Sequence, residues 1–97
     1  MNITRVFSIA QDFSRFPGGP DTGTYSGEKL RATLLGLLNE PGDLVINLDR
    51  TLGYGSSFLH AAFKGLASEI PNLHKRLSFI SEEDGTLITE IWEYAEE

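Results

Sequence analysis

Leu44-Val45-Ile46-Asn47-Leu48-Asp49-Arg50-Thr51-Leu52-Gly53-Tyr54-Gly55-Ser56-Ser57 is the stretch that decides how this chain folds. The nearly continuous apolar character of residues 44–48 predicts a strand covered on both faces. The glycine-punctuated run after Asp49 then leads into a helix that opens at Ser56 and Ser57. Two hydroxyls are thereby expected at a helix amino end, where free N–H groups and partial positive charge collect. In an open α/β sheet that is also the rim where ligands and partners meet the fold.

Outward from this segment, elements alternate. Upstream, Ser26-Gly27-Glu28 reads as a helix start, with a capping hydroxyl and a first-turn acid. Leu30, Leu34, Leu37 and Leu38 follow on one helical stripe, which Asn39-Glu40-Pro41-Gly42 ends. Downstream, Leu59, Ala62, Phe63, Leu66 and Ile70 predict a single helix over about 56–69, closed by Pro71. Leu77-Ser78-Phe79-Ile80 predicts another strand. Ser81-Glu82-Glu83-Asp84 reads as a cap with first-turn acids, and Leu87, Ile88, Ile91, Trp92 and Ala95 mark one face of a last helix. At the amino end, residues 3–9 predict a strand with Ile3, Phe7 and Ile9 on one side and a wetter face of Thr4, Val6 and Ser8. Phe16-Pro17-Gly18-Gly19-Pro20 breaks regular structure, and a short strand is expected between it and Ser26. The expected architecture is α/β: a small mixed, partly parallel sheet of about four strands packed against three helices.

With 97 residues, 40% of them hydrophobic, the chain suffices for one core, and residues 1–97 are expected to form a single domain. No run of 18 apolar residues suggests a membrane span. Met1-Asn2-Ile3-Thr4-Arg5 has no signal-peptide character and there is no cysteine, so a cytoplasmic setting is expected. Asn2-Ile3-Thr4 matches a glycosylation sequon, read here as a chance match. The formal charge is 8 − 14 = −6, and residues 82–97 hold seven acids and no base. Such an end repels phosphate backbones and anionic lipid, which argues against nucleic acid and membrane as partners. A homodimer through the Trp92 helix is a further expectation about assembly.

Several residue blocks resemble one known family. Asp12-Phe13-Ser14 before Pro17-Gly18-Gly19, Ser26-Gly27, Leu34-Leu35-Gly36-Leu37-Leu38, Ile46-Asn47-Leu48-Asp49, Ser56-Ser57-Phe58-Leu59 and Ala62-Phe63-Lys64-Gly65-Leu66 together are similar to the STAS-like domains (DUF4325) of bacteria and phage. These are related in fold to the STAS domains of anti-sigma factor antagonists. The resemblance implies a noncatalytic regulatory module without cofactor, whose partner is a histidine-kinase-like ATPase of the anti-sigma type. It also implies phosphorylation of Ser56, with Ser57 as its neighbour. The chain departs from the antagonists at Gly55, where they carry an aspartate, and at Phe58, where they carry a glycine. His60, Ala61 and Lys64 depart from the STAS-like pattern.

The same residues support a physical reading of their own. Phosphate on either serine adds roughly −1.5 to −2 charges at neutral pH, beside a surface where Asp49, Tyr54, Gly55, Phe58 and His60 are candidate partner contacts. Capping alone would give Ser56 a role worth about 1 kcal/mol. Phe58 is also a candidate core residue, and Asp49 a candidate acceptor for nearby backbone N–H groups. A Ser56–His60–Asp49 triad is disfavoured, because one helical turn rarely aims nucleophile and base correctly. No histidine–carboxylate spacing suggests a metal, and His74-Lys75-Arg76 reads as a solvated loop. The alternative function is a small-ligand or phosphate-binding domain built on the Gly53–Ser57 loop, which lacks the lysine of a P-loop.

Overall fold

The computed structural model describes residues 3–15 and 26–97. Strand β1 (Thr4–Ser8) runs into a π-helical turn (Ile9–Phe13). Helix α1 (Gly27–Leu38) and strand β2 (Asp43–Asn47) follow, then α2 (Ser56–Phe63), α3 (Leu66–Glu69), α4 (Leu73–Arg76), β3 (Leu77–Ile80) and α5 (Thr86–Ala95). The described strands form one sheet in the order β1-β2-β3, with Val6 level with Val45 and Val45 with Ser78. Both pairings are parallel, so the expected mixed sheet of about four strands is corrected to three described strands in parallel. The strand expected before Ser26 falls in 16–25, outside the described residues.

The helices lie on one face of this sheet. Phe7, Leu44, Ile46 and Leu77 are buried beneath them, together with Leu30, Leu34 and Leu38 of α1, Leu59, Ala62 and Phe63 of α2, and Ile91 and Ala95 of α5. Alternate positions point the other way: Val6 is 63% exposed, and Ile80 and Ser78 are also open. The expectation that 44–48 is covered on both faces is thus corrected. β2 alternates between buried residues, Leu44 and Ile46, and half-buried ones, Asp43, Val45 and Asn47. The wetter face foreseen for β1 is present, but Ile3, placed on its apolar side, is 61% exposed.

Helix α1 starts as its sequence requires. Buried Ser26 accepts from the Lys29 N–H at 3.3 Å and satisfies one orphan donor of the first turn. At its other end Arg76 donates to the carbonyls of Leu38 (2.7 Å), Glu40 (2.7 Å) and Gly42 (3.3 Å), groups that the helix and its exit turn leave without backbone partners. The single helix expected over 56–69 is broken at Lys64-Gly65. Gly65 adopts φ +68° and its N–H bonds to the Tyr94 carbonyl at 3.0 Å. The freed carbonyls of Ala62 and Lys64 are taken by the Arg31 guanidinium, at 3.4 and 2.7 Å. Arg31 also pairs with Glu69.

His74 is exposed, as expected, but it is on a helix rather than in a loop. It lies on α4, stacked on Trp92 at 4.0 Å between ring centroids, with Nε2 2.8 Å from Glu96. Trp92 in turn meets Phe79 edge-on, and Phe79 meets Phe63, so an aromatic chain runs from α4 across α5 and β3 to α2. Ser81 does not cap α5. Its hydroxyl donates to the Asp84 carbonyl, Gly85 holds the cap position, and the Asp84 carboxylate accepts from the N–H of Thr86, the first residue of α5, at 3.0 Å.

Candidate functional site

The carboxyl ends of three parallel strands converge on the loop between β2 and α2. Leu48 is still tied to the sheet, its N–H donating to the Ile80 carbonyl at 2.8 Å. Asp49, only 8% exposed, turns its carboxylate across to the chain leaving β3. Oδ2 accepts from the Glu82 N–H and Oδ1 from the Glu83 N–H, both at 3.0 Å. Glu83 answers by accepting the Arg50 N–H at 3.0 Å. This reciprocal lock holds Arg50 in the left-handed region at φ +76°, a conformation that a residue with a long side chain seldom takes unaided. Asp49 is therefore an acceptor for backbone N–H groups, as one of its two expected roles required, and those groups lie across the rim rather than nearby in sequence.

Tyr54 folds back over this loop. Its hydroxyl donates to the Leu48 carbonyl at 2.7 Å, and its ring stacks on Phe58 at 6.2 Å. Burial of the hydroxyl pushes the Tyr54 pKa up to about 12, with Asp49 and Glu83 adding to the rise and Thr51 opposing it. Phe58, 1% exposed, sits between Tyr54 and Phe13 and belongs to the core. Its candidacy as a contact residue is corrected: the first turn of α2 needs an apolar anchor on its inner side, and Phe58 supplies it.

Helix α2 begins one residue earlier than a Ser56 cap would require. Gly55 occupies the cap, and no side-chain cap hydrogen bond is made there. The expected capping by Ser56 is thus corrected. Ser56 and Ser57 are both exposed in the first turn. His60 stands one turn further along and faces α5, with Nε2 3.0 Å from Glu97 and its ring edge-on to Tyr94 at 5.2 Å. The imagined triad does not assemble, since Asp49 is spent on Glu82 and Glu83 while His60 pairs with Glu97.

Two depressions border the loop. The smaller, about 170 Å³, is lined by Asp49, Gly53, Tyr54, Glu83 and Asp84 among others. The larger, about 530 Å³, is lined by Gln11, Arg15, Arg50, Thr51 and Glu83, with two apolar neighbours. The arginines were not singled out from sequence, because what brings them together is the Asp49–Glu83 lock and a bond from the Leu52 N–H to the Arg15 carbonyl at 3.0 Å. Among the described residues no group of three or more His, Cys, Asp or Glu side chains could hold a metal ion. No described helix is long and apolar enough to cross a membrane.

Buried Ser26 at the head of α1, parallel strands and an α2 that starts at Ser56 agree with the blocks that carried the resemblance. The family model of a STAS-like domain of unknown function (DUF4325) matches residues 26–86. The chain belongs to this family. The matched stretch of the STAS-like domain runs from the Ser26 cap to the start of α5, and so contains the β2–α2 loop with Asp49, Tyr54 and both serines. No curated protein and no solved structure matches the chain.

Proposed function

We propose that this STAS-like domain is a noncatalytic protein-interaction module whose partner docks on the start of α2, with docking controlled by phosphorylation of Ser56 or Ser57. The observation that carries this reading is the glycine cap: both hydroxyls are exposed at a helix amino end, and neither is used to hold the helix. A phosphate there sits favourably in the helix dipole and leaves the core untouched. It transforms the adjacent surface, where the rim of Tyr54, Gly55 and His60 would meet the partner, because burying a dianion in an interface without a cationic counterpart blocks association. The relation of the family to anti-sigma antagonists makes a histidine-kinase-like ATPase the partner of choice.

A ligand site on the Gly53–Ser57 loop has less support. The depression that Gly53 and Tyr54 line also carries Asp49, Glu83 and Asp84, and no lysine or arginine among its described lining residues offsets their repulsion of phosphate.

The test is affinity capture with the wild-type domain and with Ser56→Ala, Ser56→Asp, Ser57→Ala and Ser57→Asp, alongside mass spectrometry of the domain after incubation with the captured protein and ATP. A partner held by the wild type and both alanine variants, lost by one aspartate variant, and able to phosphorylate that serine supports the proposal. Capture indifferent to both aspartates overturns it.

A further inference from the structure

The arginines of this chain fall into two groups. Arg5 pairs with Glu40 at 3.1 Å, Arg31 is committed to Ala62, Lys64 and Glu69, and Arg76 to three carbonyls at the exit of α1. The guanidiniums of Arg15 and Arg50 have no ion pair or hydrogen bond among the described residues. Both line the same depression of about 530 Å³. In a chain of net charge −6, two cations at one concave site, uncommitted among the described residues, are an unusual concentration of positive potential.

The backbone that carries both arginines is held in place. The Leu52 N–H ties the Arg50 loop to the Arg15 carbonyl, and Glu83 fixes the Arg50 N–H. The position of the depression, beyond the carboxyl ends of the neighbouring parallel strands β1 and β2, is where open α/β sheets bind ligands, and its volume falls within the range of small-molecule pockets. Two planar guanidiniums match the charge and the several oxygens of a dianionic phosphate better than those of a single carboxylate. Glu83 spends one carboxylate oxygen on Arg50 and keeps the other to accept a ligand hydroxyl.

We propose that this depression binds a small, hydroxyl-bearing phosphate monoester, with the phosphate held between Arg15 and Arg50 and a hydroxyl accepted by Glu83. The site is separate from the serine surface and does not depend on partner docking.

The test is a titration of the full chain with inorganic phosphate and with glycerol phosphate at constant ionic strength, followed by amide chemical shifts. Wild type, Arg15→Gln, Arg50→Gln and the double variant are compared, and Arg50→Gln keeps the N–H that Glu83 accepts. The expected result is saturable shifts centred on residues 10–15 and 50–52, tighter for the ester. Each single variant should weaken binding by about tenfold or more, the loss expected for one charge-assisted hydrogen bond. Shifts that fail to saturate, or that persist unchanged in a well-folded double variant, overturn the site. An ester that binds no tighter than inorganic phosphate overturns the hydroxyl contact.

Discussion

Gly27 and Phe58 lie so close that a β carbon on Gly27 would stand 2.4 Å from the Phe58 carbonyl oxygen and 2.9 Å from the Ala61 β carbon. The first turn of α1 thus rests directly on the backbone of α2, and the position of the serine-bearing helix depends on a missing side chain. Backbone cannot swing aside as a flexible side chain would. Gly27→Ala should therefore cost about 2–3 kcal/mol and lower the melting temperature by on the order of 10 °C. Gly36, in the same helix with nothing within 4 Å of an added β carbon, serves as the control. Gly36→Ala should stabilise by about 0.5–1 kcal/mol. Thermal unfolding of both variants checks the pair, and a Gly27→Ala protein as stable as wild type would contradict the close approach.

The identity of the helix caps can be read out with two serines. Ser26→Ala removes a buried hydroxyl that accepts from Lys29 and should cost about 1 kcal/mol. Ser56→Ala removes an exposed hydroxyl behind a glycine cap and should stay within about 0.5 kcal/mol of wild type. Denaturant unfolding separates the two outcomes.

Asp49 joins the end of β2 to the chain leaving β3, its buried carboxylate accepting from the N–H groups of Glu82 and Glu83. Asp49→Asn keeps the shape but leaves one amide facing another donor, at an expected cost of about 1–3 kcal/mol. Hydrogen exchange should accelerate at the Glu82 and Glu83 amides before it does so in the core strands.

Arg76 reaches three carbonyls that a lysine ammonium cannot serve together, since only the guanidinium fork spans them. Arg76→Lys should destabilise the domain by about 1–2 kcal/mol despite conserving charge. A loss equal to that of an exposed Lys75→Arg exchange would argue against this role.

Tyr54 provides a pH signature. The unfolded chain releases this proton near 10 and the folded one near about 12, so below pH 10 both states keep it and stability does not depend on it. From there up to about 12 the unfolded state ionises first, and stability falls as pH rises. With the ring only half-buried, solvent screening limits the loss to about 1 kcal/mol. Tyr54→Phe should flatten this alkaline limb, as followed by unfolding at stepped pH.

What the sequence disclosed was local. Ser26 followed by Leu30, Leu34 and Leu38, the apolar run at 44–48, the short strand at 77–80 and the Ile91–Ala95 stripe all carry their periodicity on their own residues, and each element formed where that pattern lay. The break at Lys64-Gly65 was hidden because Leu59, Ala62, Phe63, Leu66 and Ile70 continue in helical register through it. The residue that makes the break tolerable, Arg31, stands a full helix earlier in the chain. The π-helical turn was hidden for a related reason: Ile9 is buried whether it ends a strand or begins a turn. At the site, exposure of the two serines followed from their position at a helix start. The acceptor role of Asp49 toward residues 82 and 83, the stacking of His74 on Trp92 and the convergence of Arg15 with Arg50 depend on contacts between distant segments that no short window contains.

The glycine at the head of α2 has a practical corollary. Since the chain has no cysteine, a thiol introduced by Ser57→Cys would be unique in the molecule, and nothing in the helix relies on the hydroxyl it replaces. A fluorophore attached there would stand at the rim and report the arrival of any visiting molecule, while the scaffold beneath stays as it was.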